Sequence, residues 1–237
     1  MRKNVLITGL PKSGKSTLLK KLLEEIPNKT GFVTNEILND NSRTGFEIQT
    51  STGKTSVLAS IDFKTGPQVS RYFVDIKNLD LILPEIAHFN NDAILYIDEI
   101  GQMELYSGLF KQTVLNYLDS NNICLATISK IYNDEFTDSI KARKDVILIE
   151  ITEENRESKK IFIKQLLNKI AKAKSYAQKK EIFSFLNGFV IVNSEHGPRH
   201  VEIKGSDLAC DCNFFQENHI CSHVLAVEEI KLNESQP

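Results

Sequence analysis

The chain has 237 residues, 41% of them hydrophobic and 25% charged, with a formal net charge of −2. Such a composition excludes wholesale disorder, and the near-neutral balance excludes a uniformly basic nucleic-acid coat. No stretch nears the ~18 uninterrupted apolar residues of a membrane span or the ~7–15 of a secretory signal, so a cytoplasmic protein is expected.

At roughly 150 residues per domain, the length fits one large domain or two unequal ones. Up to about residue 151, short apolar runs alternate with helix-type patterns. Asn4–Thr8 reads as a buried strand and Gly14–Glu25 as a helix that stops before Pro27. Gly31–Ile37 and Arg43–Thr50 read as a hairpin around Asn39-Asp40-Asn41-Ser42. A short strand at Thr55–Ala59 follows, then a loop over Ile61–Ser70. Strands are expected at Tyr72–Ile76, Ala93–Asp98, Ile123–Ser129 and Val146–Ile151, with helices near Leu79–Phe89 and Ser107–Leu118. This alternation predicts an α/β fold with a mostly parallel sheet covered on both faces.

Arg156–Lys180 predicts a long helix with nine basic residues and one acid. It is either a solvated face closing the first domain or a basic surface for nucleic acid or another partner. Beyond Glu181 the pattern predicts a hairpin, Phe189–Asn193 with His200–Lys204, then a cysteine-rich loop and a helix from His223 to Leu232. The expected domains are 1–155, a basic helix or linker at 156–182, a small module at 183–232 and a polar tail at 233–237.

Gly9-Leu10-Pro11-Lys12-Ser13-Gly14-Lys15-Ser16 matches G-x-x-x-x-G-K-[ST] between a predicted strand and a predicted helix. Glycines let backbone N–H groups curl around a phosphate, and the helix start adds positive potential. Lys15 then reaches the β/γ-phosphates, and the Ser16 hydroxyl ligates Mg²⁺. The run Ala93-Ile94-Leu95-Tyr96-Ile97-Asp98-Glu99 ends in two acids: Asp98 to hold Mg²⁺ through water, Glu99 to polarise an attacking water. Asn155 and Arg156 follow the last strand of the alternating region, where base contact competes with a plain helix start. Cys124, inside a strand, reads as a small core hydrophobe.

Cys210-Asp211-Cys212, eight residues, then Cys221-Ser222-His223 gives three sulfurs and one imidazole, the set of a closed tetrahedral Zn²⁺ site. His219 is a rival to His223, while His88, His196 and His200 have no partner pattern. Residues 186–237 carry three basic side chains against eight acidic ones, so this module by itself is expected to favour protein over nucleic acid.

LITGLPKSGKSTL (6–18), GFVTNEI (31–37), RTGFEI (43–48), VSRYFVD (69–75), IDEIGQMEL (97–105) and TEENR (152–156) together resemble the small P-loop nucleoside-triphosphatases described from thermophiles, which include cancer-related nucleoside-triphosphatases. The resemblance implies a RecA-like P-loop fold that slowly hydrolyses several NTPs. It carries phosphate and Mg²⁺ binding to Gly14, Lys15, Ser16 and Thr17. Glu104 either touches the metal, braces its loop or sits at the surface. Arg43 and Arg71 are candidates for an internal arginine finger, against surface salt bridges; Thr127 and Ser129 are candidate γ-phosphate sensors. One departure is Ser70, where the resemblance leads us to expect glycine. GFVIVNSEHGPRHVEIKGSDLACDCNFFQENHICSHVLAV (188–227) resembles a SWIM-type zinc finger of ββα pattern, which implies a binding module for DNA or protein. The alternatives to NTP hydrolysis are phosphoryl transfer by a nucleotide or polynucleotide kinase, and a nucleotide-gated binding switch acting through the finger.

Overall fold

In the computed structural model, residues 1–234 are described, and the chain divides into two compact units. One is Lys3–Lys160; the other is Met1–Arg2 together with the chain from Ile161 onward. No helix among the described residues is long and apolar enough to cross a membrane.

The larger unit is built on β1 (Asn4–Thr8), α1 (Lys15–Leu23), β2 (Lys29–Asn39), β3 (Ser42–Thr50), β4 (Thr55–Ser60), β5 (Gln68–Val69), β6 (Tyr72–Val74), α2 (Ile76–Ile82), β7 (Ile94–Ile100), α3 (Gly108–Asp119), β8 (Cys124–Ile128), α4 (Glu135–Lys141) and β9 (Val146–Glu150). The nine strands form one sheet in the order β5-β6-β4-β3-β2-β7-β8-β1-β9. Strands β2, β7, β8, β1 and β9 run parallel. The expected hairpin adds an antiparallel half, because β2 outruns β7 and its outer residues pair with β3.

Both faces of the parallel half are covered. Alternate residues Leu6, Leu95, Ile97, Cys124, Ala126 and Ile128 join one buried cluster with Leu79 of α2 and Phe110 and Val114 of α3. Val5, Ile7, Tyr96 and Leu125 are buried outside that cluster, and α1 lies against β2, β7 and β8. A strand period of two therefore serves two apolar layers, which is why these runs are apolar throughout. Cys124 is part of this core, and burial pushes its thiol up to about 12.

The structure departs from the expected elements in particular places. The loop over 61–70 contains β5, the run Tyr72–Ile76 ends as a strand at Val74, and α4 has no counterpart in the pattern. Ser70 sits at φ 55°, a left-handed conformation that glycine takes freely and other residues reach at about 1–2 kcal/mol. The departure from glycine thus falls on the tight β5–β6 turn.

The division between units falls inside α5 (Arg156–Ala177). Its buried residues Ile163, Leu166, Leu167, Ile170, Ala173 and Tyr176 recur at helical spacing, so part of the basic helix has an apolar stripe. The smaller unit then has β10 (Phe183–Leu186), β11 (Phe189–Ser194), β12 (Gly197–Lys204) and β13 (Asp207–Cys210) in one antiparallel sheet in chain order, followed by α6 (Asn213–Asn218) and α7 (Ser222–Glu234). The expected hairpin is the β11–β12 centre of that sheet. Of the expected polar tail, 233–234 continue α7, and 235–237 lie outside the described residues.

Candidate functional site

The phosphate loop leaves β1 at Thr8 and enters α1 at Lys15. Lys12 at φ 68° and Gly14 at φ 90° curl it, and the Ser13 amide closes it on the Leu10 carbonyl at 3.1 Å. Leu10, Pro11, Lys12 and Thr17 are exposed, whereas Gly9, Ser13 and Lys15 are buried. Lys15 Nζ donates to the Gly9 carbonyl at 3.2 Å and stands 3.8 Å from Glu99 Oε1. The loop lysine and the candidate base therefore face each other.

β8 lies between β1 and β7 and brings a third strand to the same place. Asp98, fully buried, accepts from Ser16 Oγ and Thr127 Oγ1 on its Oδ1, both at 2.8 Å, while its Oδ2 meets no hydrogen-bond partner among the described residues. Burial pushes the Asp98 carboxyl up, partly offset by those two hydroxyls. Thr34 of β2 donates to the Asp98 carbonyl. A buried carboxylate with one unmet oxygen beside a serine hydroxyl is a donor set suited to a hard divalent cation. Ser129 is instead engaged locally, its Oγ accepting from the Tyr132 amide at 3.1 Å.

Glu99 is raised by burial, against the lowering pull of Lys15. Glu104 is 5% exposed, so the surface reading of this residue falls away. Burial, with Glu99 and Asp98 adding to it, raises the Glu104 carboxyl to about 8. A Cβ on Gly101 would stand 3.2 Å from Glu104 Oε2 and 3.6 Å from Glu99 Cγ, so the two acids flank that glycine.

The exit of β9 runs beside the loop. The Ile151 amide donates to the Thr8 carbonyl at 2.8 Å, and a Cβ on Gly9 would meet the Ile151 carbonyl oxygen at 2.5 Å. Asn155 is spent on a local turn, its Oδ1 accepting from the Thr152 amide at 2.8 Å. Arg156 packs on Gly14: a Cβ there would collide with Nη1 and stand 3.0 Å from Cδ. Arg43 and Arg71 are brought to each other instead. Both donate through Nε to Tyr72 Oη, at 3.0 and 3.2 Å, and Arg43 also pairs with Glu36. Their guanidinium groups lower the Tyr72 phenol against the raising effect of its burial.

In the smaller unit, β13 ends on Cys210, Cys212 precedes α6, and Cys221 precedes α7, whose second residue is His223. The three sulfurs and a His223 ring nitrogen lie within 4.8 Å of one another. His223 Nδ1 is 3.6 Å from Cys210 Sγ and 3.8 Å from Cys221 Sγ. Ligands about 2.0–2.3 Å from a tetrahedral Zn²⁺ are separated by roughly 3.5–3.8 Å, so both His223–sulfur distances fit zinc. His219, at φ 55° after α6, packs on Phe215 and is outside the cluster. His88, His196 and His200 are exposed. Motif reading supplies neither Thr34 nor Tyr176, whose ring stacks on His223 at 6.0 Å and 16°. The only trace of Tyr176 in the sequence is its place at the end of the apolar stripe of α5.

Two family models match parts of this chain. Residues 4–167 match a family model described as NTPase, and residues 197–231 match one described as SWIM zinc finger. A nucleoside-triphosphatase THEP1 from Thermotoga sp. strain RQ2 is 40% identical over 156 residues, covering 65% of this chain and 89% of that protein. One from Natranaerobius thermophilus is 41% identical over 160 residues, covering 65% and 90%. The crystal structure of THEP1 from Aquifex aeolicus superposes with a TM-score of 0.63 at 33% identity, covering 69% of this chain and 98% of that one. The solution structure of a human cancer-related nucleoside triphosphatase gives 0.60 at 29%, covering 70% and 97%.

Proposed function

The chain belongs to the NTPase family matched by residues 4–167, and we propose that it hydrolyses nucleoside triphosphates to the diphosphate and inorganic phosphate in a Mg²⁺-dependent reaction. The observation that carries this reading is Asp98, buried with one unmet carboxylate oxygen, joined to Ser16 of the phosphate loop and one residue from Glu99, which faces Lys15.

Loop amides and Lys15 bind the β- and γ-phosphates. Ser16 and Asp98 would hold Mg²⁺, which when bound neutralises charge on the phosphate oxygens. Glu99 accepts a proton from water as the water oxygen bonds to the γ-phosphorus. The bond from that phosphorus to the β–γ bridging oxygen breaks, and its electron pair stays on the diphosphate. Thr127 fixes Asp98 from β8 through its hydroxyl, so its first role is to orient the carboxylate. The C-terminal module acts as a binding appendage rather than a catalyst. Its acidic balance favours a protein partner, and nucleic-acid affinity, where present, resides in the basic α5.

The test is release of phosphate from ATP and GTP, with and without Mg²⁺, by the full chain and by Glu99→Gln. The amide cannot take up the proton, so binding should persist while turnover falls by roughly 100-fold or more. Turnover of Glu99→Gln at the parent rate removes Glu99 as the base. Labelled γ-phosphate accumulating on a nucleoside or oligonucleotide faster than as free phosphate replaces hydrolysis by a kinase reaction.

A further inference from the structure

We propose that Arg156, where the sequence pattern allows either a base contact or a plain helix start, is the phosphate-site cation that acts in cis; the proposal rests on the hydrolase reading above. The position is the first observation. Arg156 fills the space beside Gly14 that a side chain on that residue would take, with Cδ 3.0 Å and Cζ 3.3 Å from a Cβ built there. Gly14 immediately precedes Lys15 at the turn into α1. A group packed on Gly14 therefore stands at the phosphate end of the site.

This placement is held from both sides. The segment leaving β9 follows the loop, with Ile151 against Gly9 at one end and Arg156 against Gly14 at the other. Glu157, the next residue on α5, reaches Lys21 of α1 at 3.9 Å. Two loop glycines thus face one stretch of chain, and a Cβ on either would push that stretch away.

The hydrogen bonding supplies a second observation. Arg156 Nε is buried and meets no acceptor among the described residues. Its nearest carboxylate oxygen, Glu157 Oε1, is 4.0 Å away on a largely exposed side chain. A guanidinium offers five donors in a planar fork, and that geometry matches phosphate oxygens. Lys15, in contrast, is shared between Glu99 and loop carbonyls. Arg43 and Arg71 are committed to Tyr72. Arg156 is the arginine whose contacts lead to the phosphate loop.

When the γ-phosphoryl group transfers to water, negative charge grows on the leaving diphosphate and the equatorial oxygens. A fork already packed against the loop stabilises that charge with little reorganisation. The experiment uses full-length Arg156→Ala and Arg156→Lys, with kcat and KM for ATP and GTP, calorimetric affinity for ADP, and turnover of Arg156→Ala with added guanidinium ion. We expect Arg156→Ala to lose about 100-fold or more in kcat, by the same factor for ATP and GTP, with ADP affinity within about threefold of the parent. Arg156→Lys keeps charge without the fork and should recover only part of the loss. Millimolar guanidinium should raise turnover of the alanine variant and leave the parent unchanged.

Turnover of Arg156→Ala within about threefold of the parent overturns the proposal and leaves the hydrolase reading standing. A loss that differs between ATP and GTP overturns it in favour of a base contact. A variant that melts lower and does not respond to guanidinium makes Arg156 a brace for Gly14 only. A parent chain that releases no phosphate from any NTP removes the hydrolase reading and this proposal together.

Discussion

The phosphate site and the cysteine–histidine site are assembled by opposite strategies. The first draws Gly9–Ser16, Thr34, Asp98, Glu99, Thr127 and Arg156 from strands and loops far apart in the chain. The nine-stranded sheet brings them together and, through its core, offsets the cost of polar atoms buried without partners among the described residues, such as Asp98 Oδ2, Thr8 Oγ1 and Ser13 Oγ. The second draws four ligands from fourteen consecutive residues, carried on short elements of a four-stranded module. There the cation is part of what holds the fold, because ligand binding and folding free energy are one quantity. One site is assembled by the sheet that carries it; the other is a scaffold that its ion completes.

That contrast breaks if removal of either ligand system disturbs both. The largest effect is expected from Lys15→Ala, which deletes the loop ammonium facing Glu99 and should bring phosphate release to background. Zinc content and the melting temperature should stay at parent values. Loss of zinc in this variant would show that the phosphate loop supports the finger's fold.

Cys221→Ser comes next. It removes one of three thiolates, and structural zinc contributes on the order of 10 kcal/mol in isolated fingers, so metal content should drop below one per chain. The β12–β13 region and α7 should lose amide protection in hydrogen exchange, while kcat stays within about twofold of the parent. Elemental analysis and phosphate release on one sample decide it. A kcat that falls in step with zinc occupancy would make the finger a regulator of turnover and would favour the gated-switch reading.

How much the sequence discloses follows from the same contrast. Gly14, Lys15, Asp98 and the four zinc ligands are legible because their chemistry fixes local spacing. Thr127 is only faintly so: it contacts Asp98 because β8 inserts between β1 and β7 and places Thr127 opposite Ile7. Thr34 and Tyr176 depend wholly on tertiary pairing. The short helices α4 and α6, of seven and six residues, are too brief for a 3.6-residue period to emerge. A capping box starts α4, but its third helical residue is Thr137, not the Glu or Gln that marks the motif. Cys210 draws attention as a ligand, which obscures that Asp207–Cys210 is an edge strand.

The smallest effect expected here concerns Glu104 and sharpens the account of charge at the phosphate site. In the folded chain this carboxyl keeps its proton up to about 8, chiefly through burial. In the unfolded chain it ionises in the ordinary carboxylate range. Between those limits the folded state binds more protons, so stability falls as pH rises through the window. Asp98 and Glu99 are also raised by burial and slope the same way. Glu104→Gln places a neutral amide where a neutral acid stood, which should remove one part of that slope and leave the rest. Melting temperatures measured without nucleotide from about pH 5 to about pH 8 should therefore decline less steeply in Glu104→Gln than in the parent. Identical slopes would mean that Glu104 is already ionised at neutral pH. A negative Glu104 would then add its charge to those of Glu99 and Asp98, and the site would need more positive charge before any triphosphate could approach.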